Sequence, residues 1–238
     1  MSTSLPWLAP DNLEFPDIDE AWDDPNGLLA VGGDLSPARL IKAYSLGIFP
    51  WYEDGQPILW WSPQPRMVLF PNEIHVSRSL AKVFKKSLFE LSLDKAFAEV
   101  VNACAEPRRE QGGTWITEDM HKAYVELHNR GYAHSLEVWQ SGELVGGIYG
   151  VAIGRAFFGE SMFSRVDNAS KIALVALAGQ LQEWQFGFLD CQMDTSHLRS
   201  MGARNLSREE FKVLLLNYTK QDAVSSPWHL SWSYHSDS

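Results

Sequence analysis

The spacing of apolar and polar residues changes several times along the chain and predicts both helices and strands. Residues 134–163 alternate and are interrupted by turn residues at Ser141 and Gly154, which predicts two or three antiparallel strands. Residues 168–184 are largely apolar and predict a buried helix, and residues 186–193 predict a strand after it. Because helices and antiparallel strands mix without a regular βαβ repeat, the predicted fold class is α+β.

Capping residues mark several amphipathic helices. Ser36 is a predicted N-cap with Pro37 at the first helical position, and Gly47 ends this helix. Thr117 and Gly131 bound another helix in the same way. Helical spacing of apolar residues also predicts helices over residues 77–87, 93–106 and 207–218, and the last of these is capped at Ser207.

An aromatic segment, Gly47 to Arg66, precedes a predicted strand at residues 66–71. It contains three tryptophans and four prolines, has neither helical nor strand period, and is predicted to be a loop. Its rings are either core residues under an irregular chain or a pocket for a flat ligand such as a base. We place a domain boundary near residue 65, between a small N-terminal domain (residues 1–65) and a larger domain (residues 66–238).

Composition narrows the class of protein. The chain of 238 residues is 45% hydrophobic and 21% charged, as expected of a globular protein. It has no apolar run long enough to span a bilayer and no secretory signal pattern at its N-terminus. Its two cysteines, Cys104 and Cys191, are far apart in the sequence, which favours a reducing compartment and argues against a cysteine zinc site. These features predict a cytoplasmic protein.

The net charge of −10 is unevenly distributed. Residues 1–38 contain eight acids and no lysine or arginine, so the remaining chain holds 22 acids against 20 bases. Within residues 77–87 four bases fall in one helical arc of roughly 100°. This arc is either a solvated face or a contact for a phosphate backbone, and a nucleic-acid partner therefore stays possible. The four bases are Arg78, Lys82, Lys85 and Lys86.

Several familiar catalytic motifs are missing from the sequence. It has no His-Glu-x-x-His metal motif, no Gly-x-Ser-x-Gly elbow and no glycine-rich nucleotide loop. Three polar residues near strand ends remain as candidates, namely Glu160, Asp190 and Gln192. Strand alternation predicts that Asp190 and Gln192 share one face. Each of the three could instead be a capping, ion-paired or hydrogen-bonded residue of purely structural importance.

A set of short motifs, from about residue 25 to about residue 211, resembles the bacterial leucyl/phenylalanyl-tRNA–protein transferases in order and spacing. Each motif alone is weak, but together they are highly specific. They are "NGLLAVGGDLSPARLIKAYSLGIFPW", "WWSPQPR", "GGTWIT", "AHSLEVW", "GELVGGIYG", "FGESMFSR", "NASK" and "DCQ".

This resemblance implies an enzyme that transfers Leu or Phe, and less readily Met, from aminoacyl-tRNA to proteins that begin with Arg or Lys. The transfer marks those proteins for degradation through the N-degron route. The implied fold is a GNAT-like acyltransferase domain, with a mixed, mostly antiparallel sheet flanked by helices, behind a small N-terminal domain. An aminoacyl ester is already activated, so we expect no ATP, metal or cofactor, and we expect a monomer.

The resemblance also implies roles for individual residues. Glu160 would hold the amino group of the transferred amino acid, and Gln192, oriented by Asp190, would help to deprotonate the attacking amine. Because a neutral amide is a poor base, we expect Gln192 to position that amine, with Asp190 as its electrostatic partner. The arc of four bases would bind the tRNA body. The adenosine and aminoacyl groups would contact Trp51, Trp115, Ile148, Met162, Phe163, Leu177 and Leu189.

Two other classes of function remain open from the sequence. A GNAT-like acetyltransferase would need a glycine-bearing loop for the pyrophosphate of acetyl-CoA. The segment "SRVDNASK" has no glycine and carries Asp167, which disfavours this alternative. A non-catalytic module that binds peptide or RNA would explain the tryptophans, but it would not explain the three polar candidates.

Overall fold

Two β-sheets and seven α-helices form the part of the chain that the computed structural model describes, residues 5–110 and 116–234. The helices are α1 (Pro37–Ser45), α2 (Arg78–Lys85), α3 (Phe97–Glu110), α4 (Glu118–Asn129), α5 (Ala169–Glu183), α6 (Ser196–Ser200) and α7 (Arg208–Tyr218). The strands are β1 (Trp7–Leu8), β2 (Leu28–Gly32), β3 (Phe49–Pro50), β4 (Leu59–Trp61), β5 (Arg66–Leu69), β6 (Glu90–Leu93), β7 (Ala133–Gln140), β8 (Glu143–Ile153), β9 (Ala156–Ser164), β10 (Phe188–Gln192) and β11 (Arg204–Leu206).

The smaller sheet lies near the N-terminus and has the strand order β1-β2-β4-β3. The prediction of a continuous loop over the aromatic segment is wrong, because β3 and β4 pair antiparallel within it. Both strands are too short to show an alternating pattern, and β4 is stabilised by pairing with β2 on one side and with β3 on the other. Trp60 is fully buried and donates its indole N–H to the carbonyl oxygen of Gly32 at 2.9 Å, so this ring belongs to the core.

The larger sheet has the strand order β11-β5-β10-β9-β8-β7-β6. Strands β7, β8 and β9 form the predicted antiparallel meander. Strand β10 pairs antiparallel with β5 and parallel with β9, and α5 connects β9 to β10. The sheet is therefore mixed and mostly antiparallel, and the α+β prediction is confirmed.

The capping predictions are also confirmed. Ser36, Thr117 and Ser207 are N-caps whose side chains accept hydrogen bonds from backbone N–H groups of the first helical turn. Sequence reasoning missed β6, β11 and α6, which have three to five residues each and no period of their own. In the described part of the chain, no helix is long and apolar enough to cross a membrane.

The two sheets share one hydrophobic core. The buried side chains of α1 pack in one cluster with those of α3, α4 and the adjoining face of the larger sheet. Among them, Tyr44 of α1 and Tyr124 of α4 are fully enclosed and reach the same region of β9. The packing of the N-terminal region against the larger sheet therefore places polar groups beside that strand.

Candidate active site

A pocket of about 420 Å³ opens where β9 and β10 separate. The parallel pairing of these strands ends at Phe158 and Asp190, although both strands continue beyond that point. Apolar side chains of the larger sheet and of α5 and α6 line most of the pocket. Glu160 and Gln192 bring polar groups to it, and Trp51 from the aromatic segment forms part of its wall.

Two β-bulges explain why these polar side chains reach the pocket. In the β8–β9 pairing the register shifts so that Glu160 has no partner residue, and in the β10–β5 pairing Cys191 has none. A bulge re-aims the side chains beside it, which is a common device next to functional sites. Gly150 makes the first bulge possible, because a Cβ there would lie 2.2 Å from the carbonyl oxygen of Phe158.

Glu160 is held by three hydrogen bonds from three different elements. One carboxylate oxygen accepts from Tyr44 Oη at 2.7 Å and from Gln192 Nε2 at 2.9 Å. The other accepts from Tyr124 Oη at 2.6 Å. A carboxylate has about four acceptor sites, so roughly one is left for a group in the pocket. The geometry therefore allows Glu160 to bind one further N–H or O–H donor.

Burial raises the pKa of Glu160 from 4.5 to about 7, although the three hydrogen bonds oppose this shift. Burial also raises the pKa values of Tyr44 and Tyr124, so both phenols remain protonated donors. The two phenol oxygens also contact each other at 2.6 Å. Three oxygen–oxygen contacts thus share only two phenolic protons, and a proton on Glu160 would satisfy the third contact.

Asp190 and Gln192 contact different partners, which corrects the expectation that they share one face. Asp190 is fully buried and pairs with Arg66, whereas the bulge turns the Gln192 side chain to Glu160 in the pocket. Asp190 Oδ1 instead accepts the backbone N–H of Gln192 at 2.9 Å. Burial raises the pKa of the intervening Cys191 thiol, so this group is an un-ionised part of the pocket wall.

Most of the predicted contact residues that the structure describes do line the pocket. They are Trp51, Ile148, Met162 and Leu189. Phe163 and Leu177 do not belong to the lining. Phe163 follows Met162 on β9 and lies in the core cluster of α3 and α4, and Leu177 is buried in α5. Trp115 lies outside the described residues.

Sequence reasoning missed several residues of the site. Tyr44 and Tyr124 were recognisable only as buried positions on amphipathic helices, because nothing local shows where a phenol oxygen will point. Short unpatterned segments supply other parts of the wall. The missed lining residues include Phe49, Pro50, Leu174, Thr195 and Leu198.

The predicted basic arc lies on α2. The helix begins at Arg78 after its N-cap Ser77 and ends at the C-cap Lys86, and the four bases of the arc are all exposed. None of them forms an ion pair with an acid of the described residues, unlike Arg199 and Lys212 elsewhere on the surface. The arc is therefore available for an external anion.

Comparison with solved structures gives only distant likenesses. The structure of L-PGS from Bacillus licheniformis matches 76% of this chain and 70% of its own chain at 9% identity, with a TM-score of 0.44. A ribosomal-protein-alanine N-acetyltransferase from Brucella melitensis matches 59% of this chain and 96% of its own at 16% identity, with a TM-score of 0.35. At these TM-scores the likeness adds no argument, and the α+β class rests on the strands and helices described above.

Protein-family models and individual relatives match this chain much more closely than the solved structures do. The leucyl/phenylalanyl-tRNA protein transferase model matches residues 68–216, and the N-terminal domain model of that family matches residues 33–64. The leucyl/phenylalanyl-tRNA–protein transferase of Pseudomonas putida is 60% identical over 222 residues, which are 93% of this chain and 98% of the relative. That of Saccharophagus degradans is 55% identical over 236 residues, 96% of each chain. This chain therefore belongs to the leucyl/phenylalanyl-tRNA–protein transferase family and is an aminoacyltransferase that acts on aminoacyl-tRNA and protein substrates.

Proposed function

We propose that the enzyme transfers Leu or Phe, and less readily Met, from aminoacyl-tRNA to the α-amine of proteins that begin with Arg or Lys. The new N-terminal residue would mark the acceptor for degradation by the N-degron route. The observation that carries this proposal is the pairing of an apolar pocket with a titratable carboxylate, Glu160, at its polar end. Such a site suits a ligand that has an apolar side chain beside an amino group.

The pocket supports an apolar donor of the size of Leu, Phe or Met. Its volume of about 420 Å³ is large enough for any of these side chains, and its apolar wall disfavours charged ones because they would lose hydration. One methylene group changes binding in such a pocket by about 1–3 kcal/mol. The enzyme is therefore expected to accept several apolar donors with moderate preference.

Glu160 is proposed to hold the donor's α-amino group through its remaining acceptor site. The adenosine at the end of the tRNA would stack on Trp51, which is 45% exposed and lies edge-on to Trp61 at 5.3 Å. These two contacts, with the apolar wall between them, would fix the ester carbonyl at the mouth of the pocket.

Gln192 is proposed to position the attacking amine. Its Nε2 group donates to Glu160, and its Oε1 atom, which can only accept, would receive an N–H of the acceptor amine. The amine nitrogen then forms a bond to the ester carbonyl carbon, and the bond from that carbon to the ribose oxygen breaks. The amine proton finally resides on the released ribose hydroxyl, so the transfer needs no net acid or base. An α-amine with a pKa of about 7.7–8.0 is partly neutral at physiological pH.

The other surfaces are proposed to recognise the two substrates by charge. The basic face of α2 would contact phosphates of the tRNA body. The net charge of −10 would attract an acceptor whose first side chain is positively charged.

Transfer between purified components tests the proposal. The protein is incubated with Leu-tRNA or Phe-tRNA and matched peptides that begin with Arg, Lys or Ala, without ATP, metal or CoA. We expect a product one residue longer only for the Arg and Lys peptides. Transfer that survives alkaline hydrolysis of the donor ester, or transfer that requires CoA, would contradict the proposal. Binding of both substrates without a product would favour a non-catalytic role.

A further inference from the structure

Arg66 is a buried cation that begins β5, and it is not one of the residues that line the pocket. We propose that Arg66 is a positioning residue, which holds Asp190 so that the bulge of β10 directs Gln192 toward Glu160. The proposal rests on the proposed function, since it concerns the geometry of the same site. According to this proposal, Asp190 acts through its hydrogen bonds to Arg66 and Gln192. It does not act as an unpaired charge near the reacting amine.

The contact between Arg66 and Asp190 is bidentate and enclosed. Arg66 Nε donates to Asp190 Oδ1 at 2.8 Å, and Nη2 donates to Oδ2 at 2.7 Å. The side chains are 1% and 0% exposed, so neither charge can be hydrated. Two parallel hydrogen bonds fix the orientation of the carboxylate as well as its position.

The same carboxylate holds the backbone of Gln192. Asp190 Oδ1 accepts the N–H of Gln192, whose φ of 61° lies in the left-handed region that non-glycine residues avoid. This conformation is strained for a residue with a side chain. A hydrogen bond to a charged acceptor is among the stronger hydrogen bonds in proteins, and it offsets that strain. Without a fixed carboxylate, we expect the bulge to relax and the Gln192 side chain to leave Glu160.

Two aromatic rings and the hydrogen-bonded loop before β5 restrict the position of Arg66. The guanidinium lies 4.9 Å from the ring centre of Phe49 and 4.7 Å from that of Phe211. Arg208 of α7 donates to Ser62 Oγ, the carbonyl oxygen of Ser62 and Gln64 Oε1, and so anchors the loop that leads into β5. The orientation of Gln192 thus depends on α7 and on the N-terminal sheet through their contacts with Arg66 and with the loop before β5.

The pairing also decides what Asp190 can contribute. Its negative charge is compensated by a cation in bidentate contact, so its field in the pocket is that of an ion pair and decays faster than that of a single charge. A double-mutant cycle separates the two roles, because it asks whether an uncharged pair can replace the charged one. The variants are Arg66→Gln, Asp190→Asn and the double variant, which retains amide donors and acceptors at both positions.

Initial rates with Phe-tRNA and an Arg-starting peptide give kcat and KM for each variant, and thermal unfolding gives Tm. Each single variant leaves one buried charge unpaired, so we expect kcat to fall about 100-fold or more while KM for the charged tRNA changes less than about threefold. We expect the double variant to regain at least about tenfold in kcat over Asp190→Asn. The matched control is Arg39→Gln, which removes another buried arginine paired with an aspartate and should lower Tm with kcat unchanged.

Three results would overturn the inference. A double variant no more active than Asp190→Asn would show that the charge of Asp190 acts on the reacting amine. Single variants with wild-type kcat per folded molecule and a lower Tm would show that Arg66 has only a structural role. A wild-type enzyme that performs no transfer would refute the proposed function itself. Arg66→Lys keeps the charge but loses the bidentate geometry, so a folded variant with reduced kcat supports positioning even if the other variants unfold.

Discussion

The raised pKa of Glu160 predicts that the stability of the protein falls as the pH rises toward and above neutrality. Burial in the pocket wall raises this pKa from 4.5 to about 7 in the folded protein. The folded state therefore binds the proton more tightly than the unfolded state does. The resulting stabilisation is complete below pH 4.5 and is lost as the pH rises through about 7.

The size of the effect follows from the shift. A change from 4.5 to about 7 is about 2.5 pH units, and one unit corresponds to about 1.4 kcal/mol. The free energy of unfolding should therefore decrease by up to about 3 kcal/mol across this window because of Glu160 alone. Solvent in the open pocket reduces this value, so it is an upper bound.

Urea unfolding of the wild type and of Glu160→Gln at several pH values between about 5 and about 8 measures this contribution. The variant has no carboxyl group to titrate at this position. As the pH rises over this range, we expect the wild type to lose about 2–3 kcal/mol of unfolding free energy relative to the variant. Titration of the side-chain carboxyl by carbon NMR gives the pKa directly.

Glu137→Gln is the matched control. Glu137 is a second buried glutamate whose pKa is raised by burial, but its partners are Ser92, Ser135 and backbone N–H groups away from the pocket. Its substitution should change stability and leave the carbon NMR titration of Glu160 where it is in the wild type. A pH-independent difference between the wild type and Glu160→Gln, or an NMR pKa near 4.5, would refute the reasoning from burial.

Three further changes test other parts of the structure. Replacing Lys82, Lys85 and Lys86 with Ala should lower the slope of log affinity for tRNA against log salt by about 2–3, while transfer from aminoacyl-adenosine stays unchanged; equal losses with both donors would contradict a tRNA contact. Tyr124→Phe removes a hydrogen bond that lowers the pKa of the pocket glutamate, so the NMR titration should move to higher pH; an unmoved or lower value would contradict the hydrogen-bond assignment. Trp228→Ala should lower the unfolding free energy by about 3–5 kcal/mol in urea, because this indole is 2% exposed and stacks on a buried histidine; a loss under about 1 kcal/mol would contradict tight packing.

Much of the fold depends on information that lies within a few residues along the chain. A serine or threonine cap needs only the backbone N–H groups of the following turn, so Ser36, Thr117 and Ser207 marked their helices correctly. The turns near Ser141 and Gly154 likewise marked the antiparallel meander. Such signals are local, and the sequence alone therefore determined most helices, the central strands and the α+β class.

The candidate residues Glu160 and Gln192 were also visible in the sequence, because polar groups at the ends of apolar strands need partners. The sequence did not show how the side chains of these two residues are oriented toward each other. Alternation predicted the wrong orientation for Gln192, since a bulge depends on the register against β5 and on Asp190. Alternation does place Met162 and Phe163 on opposite faces of β9, whereas the resemblance assigned both residues to the pocket. In the structure Met162 lines the pocket and Phe163 lies in the core cluster of α3 and α4.

Only the tertiary structure decided which distant groups meet. Arg66 and Asp190 are separated by 124 positions, and Tyr44 and Glu160 by 116, yet both pairs are in hydrogen-bond contact. For each of these four residues, the neighbouring sequence contains nothing that identifies the distant partner. The contacts arise because packing of the N-terminal sheet, α1, α4 and α7 against the larger sheet excludes water from these groups, and a buried charge or phenol is stable only where another element supplies its hydrogen bond.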